Sequence, residues 1–590
     1  MSGTEKGRSG KGCLLFGCLG ASLVFLVGIV VIVFVVASGR SQPGTVLVLD
    51  LDAALAERAT ADVQELWTGA PLDLLGLRRA LHKAAKDPDV SGLLLRLSKP
   101  PLQAGMAEEV WRQLRAFREH EKFVVAHVDS PNLLGYFLAT AADEILLDSS
   151  GGVDAVGIHL QAFFLKDALA DFGLQADFLR VGAYKGAFEQ LTRATPTPEF
   201  DLAMDAIAGS LFESLLGLIA EARGVEPAEV EAALGRCPVL ADEALEAKLV
   251  DAVVHGDELS ARIDQRVPAG AHYVGLRQYL SQSGAGRRGG SSIAVVHVSG
   301  MMVEGPSGRS PLSGTVAGAE TVVKALRDAS EDSDVVGILL RIDSTGGAVT
   351  AAEKMWRAAS IAAQHKPVFA SFGNAAASGG YYVASAADRV FAQATTLTGS
   401  IGIFGGKIVI GGLLDRFHVG HKTYSRGENA RIFDSTRPFT AAERLSLQQI
   451  LEESYRKFVS RVAKGRAKGF EAIDAVAQGR VWTGQAAIGA GLVDVVGGFD
   501  DALEALVEAS KVSGEVTLKL FPERKGVLDL VVEREKPPQV RALPLGVAPY
   551  SGSSPEAHRS AYELYAWLRR TRLFDDMARL TMLPFALEVR

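Results

Sequence analysis

The groups in this 590-residue chain with the best claim to chemistry are serines and glycines gathered in three short turns, together with one distant lysine. The segment Asp343-Ser344-Thr345-Gly346-Gly347 follows the strand-like run Gly337 to Ile342. Paired glycines let a backbone approach a ligand closely and turn its N–H groups towards a developing negative charge, which an oxyanion hole requires. Ala377-Ser378-Gly379-Gly380-Tyr381 follows a second apolar run, Pro367 to Phe372, and opens a helix. The Ser378 hydroxyl is therefore expected at a helix N-terminus, beside the N–H of Gly379. The third turn is Thr398-Gly399-Ser400-Ile401-Gly402. Taken singly, each is a common loop sequence.

An internal repeat gives them meaning. Gly135-Tyr136-Phe137-Leu138-Ala139-Thr140-Ala141-Ala142-Asp143 reads against Gly380-Tyr381-Tyr382-Val383-Ala384-Ser385-Ala386-Ala387-Asp388, an offset of 245. The same offset relates Val90 to Arg96 with Val335 to Arg341, and Val156-Gly157-Ile158 with Ile401-Gly402-Ile403. A fixed period of this size marks a duplicated unit. The earlier copy has Pro100-Pro101-Leu102 where the later has Thr345-Gly346-Gly347, Leu133 in place of Ser378, and Ala155 in place of Ser400. The asymmetry reverses at Lys185, which stands opposite Ala430. A lysine kept only in the copy that lacks the serine points to one active site shared by both halves.

Such a site has a physical requirement. Lysine acts as a base near neutral pH only when its pKa falls several units from about 10.4, which burial without a carboxylate partner achieves. The site is expected to be dry, and Glu189, four residues after Lys185, is expected to point away from the amine.

The elements that must position these groups read as α/β. Short β-branched runs (45–51, 92–97, 293–298 and 337–342) alternate with helical stretches (317–329 and 351–364), which argues for βαβ units and a largely parallel sheet. A longer helical region follows each core, at 198–222 and 441–464. The expected organisation is a tail (1–11), an anchor (12–38), one repeat carrying the lysine (45–265), a Gly/Ser/Arg linker (281–292), one repeat carrying the serine (293–510) and an extension (511–590) with a helix over 555–570.

The anchor is read from the absence of charge between Gly12 and Ser38, an apolar run long enough at 1.5 Å per residue to cross roughly 30 Å of hydrocarbon. Lys6, Arg8 and Lys11 precede it, so the positive-inside bias leaves the N-terminus in the cytoplasm and the repeats on the far side. A cleaved signal peptide ending near Val35 and Ala37 is the alternative, but its apolar region would be shorter. A net charge of −7 with scattered Lys and Arg argues against nucleic acid as a partner. Cys13, Cys18 and Cys237 provide neither a disulfide framework nor a metal site, and no cofactor or metal is expected.

The segments Arg180-Val181-Gly182-Ala183-Tyr184-Lys185, Ala377 to Tyr381, Leu397 to Phe404 and Gln478-Gly479-Arg480-Val481-Trp482-Thr483-Gly484 resemble those of the signal peptide peptidase A family in its long, duplicated form. The resemblance implies two tandem ClpP/crotonase-like domains of repeated ββα units. It implies Ser378 as nucleophile, Lys185 as general base, Ser400 as the hydroxyl that holds the lysine, and an oxyanion hole from Gly347 and Gly379. It also implies a homotetramer in a bacterial inner membrane that degrades cleaved signal peptides and other short apolar peptides. Three alternatives stand beside it: a crotonase-type acyl-CoA enzyme, an inactive membrane scaffold, and a Ser-His-Asp triad using His418 or His421.

Overall fold

The computed structural model describes residues 41–52, 55–58, 72–267, 270–281, 290–310, 314–512, 514 and 516–522, and the backbone of 586–589. The expected tail, anchor and 555–570 helix, and most of the linker, lie outside these residues.

Apolar runs rich in Val, Leu and Ile bury both faces of a strand, and that pattern suits a parallel sheet covered by helices. Leu93 and Leu95 enter one core and Leu94 the opposite one, where it meets Val46, Val125 and Leu146. The first sheet runs His272–Gly275, Thr45–Asp50, Val90–Leu97, Phe123–Val128, Glu144–Asp148, Ala252–Val254, parallel throughout. The second repeats it as Thr517–Phe521, Ser292–Ser299, Val335–Ser344, Val368–Ala377, Arg389–Ala392, Val495–Val496. Each sheet thus takes its edge strand from beyond the expected boundaries at 265 and 510. His272–Gly275 and Thr517–Phe521 complete the backbone ladders of Thr45–Asp50 and Ser292–Ser299.

The second copy departs from the first where the chemistry lies. Val368–Ala377 continues past the expected Phe372, and Ala375 to Ala377 pair with Leu397–Gly399. The corresponding strand of the first copy stops at Val128. Pro131, at the repeat position of Ala376, has no N–H for a ladder, and Asn132 caps the helix Leu133–Ala139 by accepting from Gly135 N at 2.9 Å.

Helices Pro198–Arg223 and Ala441–Gly465 lie one repeat apart. Among the described residues Pro198–Arg223 is the one helix long and apolar enough to cross a membrane, but Ile207, Leu211, Leu215 and Ile219 are buried in the protein core.

Two of the contacts that join the copies, among the described residues, are a strand ladder and a buried polar network. In one, strand Gln175–Val181 of the first copy pairs antiparallel with Ile403–Val409 of the second. In the other, helix Ala104–Arg118 carries two buried carboxylates into the second copy. Glu108 accepts from Ala394 N and Thr395 N at 3.1 and 2.9 Å. Glu109 accepts from Phe499 N at 2.9 Å, Gln393 Nε2 at 2.9 Å and Arg341 Nη1 at 3.1 Å. Arg341 is fully buried and also reaches Glu57. Removing one member of such a network strands the others without partners, at about 3–5 kcal/mol. Glu109→Ala is therefore expected to lower the calorimetric unfolding midpoint far more than Glu119→Ala at an exposed position; equal midpoints would refute the role given to this seam.

Candidate active site

Strand Gln175–Val181 ends at Val181 against Ile403, and the chain then turns through Gly182-Ala183-Tyr184 to Lys185. The second copy clamps that turn. Tyr184 N donates to Gln478 O at 2.8 Å and Gly479 N to Ile401 O at 2.8 Å. Gly479 has φ +80°, and a Cβ there would stand 2.5 Å from the Lys185 backbone nitrogen, so this crossing needs glycine. Nothing in the sequence pattern gives Gln478-Gly479 a role; in the fold they hold the lysine loop.

Lys185 is 4% exposed. Its Nζ lies 3.2 Å from Ser378 Oγ, 2.9 Å from Ser400 Oγ and 2.8 Å from Ser400 O. One chain thus brings together the lysine of the first copy and both serines of the second. Burial pushes the amine down to about 7, and among the described residues no charged group contributes to that shift. Phe404 lies 5.9 Å from Nζ, and Phe188 packs on Phe404 and Phe178, giving the amine an apolar wall. Glu189 is buried but directed elsewhere, paired with Arg180 and accepting from Thr197 Oγ1 at 2.8 Å and Thr197 N at 3.1 Å. Arg180 also donates to Lys185 O at 3.3 Å, so the acid braces the loop through Arg180 without touching the amine.

Both serines have strained backbones, Ser378 at φ +53° and Ser400 at φ +51°. Such conformations cost about 1–3 kcal/mol each and persist where the surroundings over-determine them. Here Ser378 N donates to Gly399 O at 2.8 Å and Ser400 N to Arg480 O at 2.7 Å. The sharp turn at Ser378 joins the end of strand Val368–Ala377 to helix Gly379–Ala384.

The glycine turn lies against it. Gly347 has φ +158°, and a Cβ there would meet Met302 O at 2.2 Å. Met302 N donates to Gly346 O at 2.9 Å, and Ala348 N to Met302 O at 3.0 Å. The Gly347 nitrogen lies 3.3 Å from where a Gly379 Cβ would stand, which brings the two backbones side by side. Gly379 opens its helix, so its N–H has no partner within that helix. Ser344 stabilises the turn, donating to Gly300 O at 2.6 Å and accepting from Gly346 N at 3.1 Å.

A depressed lysine is not a site by itself. Lys407 is also buried and falls to about 8, yet it donates to Ile432 O and Asp434 O at 3.0 and 2.8 Å and serves structure. His418 and His421 stand on an exposed stretch after Gly411–Arg416. Ala430, the repeat counterpart of Lys185, is exposed on the same surface.

Residues 116–269 and 360–513 each match the pattern of peptidase family S49. The chain belongs to this family. Its S49 relatives include Protease 4 of Salmonella typhi, 31% identical over 78% of this chain and 75% of that protein. Protease 4 of Haemophilus influenzae is 29% identical over 78% of each. The chloroplastic serine protease SPPA of Arabidopsis thaliana is 28% identical over 79% of this chain and 69% of its own length. The chain thus has the long, duplicated S49 form, and the family is one of serine-type proteases.

Gly402 provides a test of the packing at the amine. A Cβ there would lie 3.0 Å from Lys185 Cδ and 2.8 Å from Gly479 Cα. Gly402→Ala is expected to push the lysine loop away and slow peptide hydrolysis roughly a hundredfold while the unfolding midpoint barely moves. Unchanged hydrolysis would show that the amine's placement is not critical.

Proposed function

We propose that this chain is a membrane-anchored serine endopeptidase with a Ser378/Lys185 dyad that cleaves apolar peptides, released signal peptides among them. The observation that carries this reading is the buried amine of Lys185, near neutral pKa and within 3.2 Å of Ser378 Oγ. In the neutral form Lys185 Nζ takes the Ser378 hydroxyl proton, and Oγ adds to the scissile carbonyl. The N–H groups of Gly347 and Gly379 stabilise the oxyanion. As the tetrahedral intermediate collapses, the peptide C–N bond breaks and the Lys185 ammonium returns its proton to the leaving amine. Water then attacks the acyl ester, giving its proton to Lys185, and as the second tetrahedral intermediate collapses the ester C–O bond breaks, Lys185 returns that proton to Ser378 Oγ and the acid product leaves. Ser400 Oγ and O hold Nζ on the nucleophile's side throughout.

S49 membership favours this reading over an acyl-CoA enzyme. The exposure of His418 and His421 favours lysine over histidine as the base. The uncharged run from Gly12 to Ser38 supports an anchor, with the repeats facing the periplasm of a bacterial inner membrane and lipid and apolar peptides as partners. An inactive scaffold is the remaining alternative, and a fluorophosphonate label recovered on Ser378 would exclude it.

The direct test uses a fluorogenic apolar peptide and the full chain in detergent. Ser378→Ala and Lys185→Ala are each expected to abolish turnover in folded protein; full activity in Lys185→Ala would place the base elsewhere. The pH profile follows from the sign of the shift. The base works only when deprotonated, so kcat/KM should rise about tenfold per pH unit up to about 7 and then level off. A limb still rising towards pH 10 would mean that the amine is not desolvated.

A further inference from the structure

Gln478 O accepts from Tyr184 N, one residue before Lys185, and Gly479 N donates to Ile401 O. To aim these two groups the chain passes through two successive left-handed residues, Gln478 at φ +51° and Gly479 at φ +80°. Glycine takes that conformation freely, whereas a glutamine keeps it only where its surroundings hold it there. The holding groups stand behind it. Tyr455 Oη, from helix Ala441–Gly465, accepts from Gln478 N at 3.2 Å and from Gln478 Nε2 at 3.0 Å, and donates to Asp474 Oδ1 at 2.5 Å. Asp474, in helix Phe470–Val476, also accepts from Gln478 Nε2 at 2.8 Å. One buried hydroxyl thus uses its single proton and both lone pairs. Burial and the bond to Asp474 push the Tyr455 phenol upwards, so it remains a donor throughout the range in which Lys185 titrates.

The first copy lacks this arrangement. An offset of 243 relates the helix caps Thr197 and Thr440, and equally Leu249-Val250-Asp251 and Leu492-Val493-Asp494. At that offset Tyr455 answers to Phe212, Gln478 to Gly235 and Asp474 to Glu231. Phe212 has no hydroxyl, Gly235 has no side chain, and Glu231 is exposed. The backbone differs too, since Gly235 keeps φ −62° although glycine could turn left-handed at no cost. The strained turn and the hydroxyl that holds it are therefore confined to the copy that grips Lys185. Packing of the long helix does not explain them, because Phe212 packs against the first core without either.

We propose that Tyr455 and Asp474 are positioning residues for the dyad: they fix Gln478 in its left-handed conformation and, through its carbonyl, the loop that keeps Lys185 dry beside Ser378. The inference rests on the dyad reading given above. Neither side chain hydrogen-bonds to Lys185, Ser378 or Ser400; the effect passes through the bond from Tyr184 N to Gln478 O. Without the Tyr455 hydroxyl Gln478 relaxes, the loop loosens and water reaches the amine. Hydration favours the charged form, so the lysine moves up towards its ordinary value of about 10.4 and less base is present at neutral pH.

The experiment measures kcat/KM against pH with a fluorogenic apolar peptide and the full chain in detergent, alongside hydrogen exchange at the Tyr184 amide. Tyr455→Phe is expected to move the acid limb up by about one pH unit, lowering kcat/KM at pH 6 about tenfold while the plateau changes far less. It should also speed exchange of the Tyr184 amide about tenfold. Asp474→Asn, whose Oδ1 still accepts from Tyr455 and Gln478, should leave the limb in place, and Asp474→Leu should move it as Tyr455→Phe does. Tyr279→Phe removes another phenol–carboxylate bond, to Asp87 at 2.9 Å in the first copy, and should leave the limb where it is. The proposal is overturned, with the dyad intact, if Tyr455→Phe leaves the limb or the Tyr184 exchange unchanged, or if Tyr279→Phe moves the limb equally. A wild-type profile without a limb near pH 7 removes the dyad reading itself and this inference with it.

Discussion

Seven residue pairs between Gln175–Val181 and Ile403–Val409 stitch the copies together, and the geometry at Lys185 hangs from that seam. A ladder fixes register, because a one-residue slip turns every side chain to the opposite face and moves the chain about 3.3 Å. Lys185 lies four residues beyond the last pair, on a loop that Gln478 and Gly479 grip from the second copy. Ladder and clamp together leave the amine little freedom. That is how an amine on one repeat is held beside a hydroxyl on the other without a side-chain ion pair, among the described residues, to guide it.

Among the described residues no ion pair reaches the Lys185 amine, and this bears on its pKa. Burying an amine in apolar surroundings disfavours its charged form, and a nearby carboxylate would restore that form and raise the pKa again. Glu189 lies close in sequence but is taken up by Arg180 and Thr197. The contrast with Arg341 shows the two uses of burial. Glu57 and Glu109 hold that guanidinium charged and join the copies, whereas among the described residues the Lys185 amine has only hydroxyl and carbonyl oxygens within hydrogen-bond distance. Lys407, also buried, donates to two backbone carbonyls instead, so desolvation alone does not set Lys185 apart; its place beside Ser378 does.

Divergence between the repeats concentrates in a few backbone decisions. At Asn132 the first copy starts its helix with an ordinary cap. At Ser378 the second runs its strand straight into a strained turn and so presents the hydroxyl. The same scaffold supports both because the sheet order and helix cover are common to the two copies.

Periodicity in the sequence was sufficient to read the duplication, the α/β layering and the pairing of a lysine in one copy with a serine in the other, because repeated burial demands repeated apolar patterns. Ser378, Ser400, Lys185 and the two glycine turns were legible because their counterparts had changed in step. Other features were settled only by the folded chain. The last strand of each sheet lies in short, weakly patterned segments past the expected ends, and its place comes from backbone hydrogen bonds to an edge, which composition does not encode. The grip of Gln478 and Gly479 and the buried carboxylates of Glu108 and Glu109 depend on contacts between residues hundreds of positions apart, and the diversion of Glu189 depends on how its side chain meets those of Arg180 and Thr197 nearby in the chain. That one molecule brings the amine to the serine follows from the seam's direction and register, which are properties of two strands meeting in space.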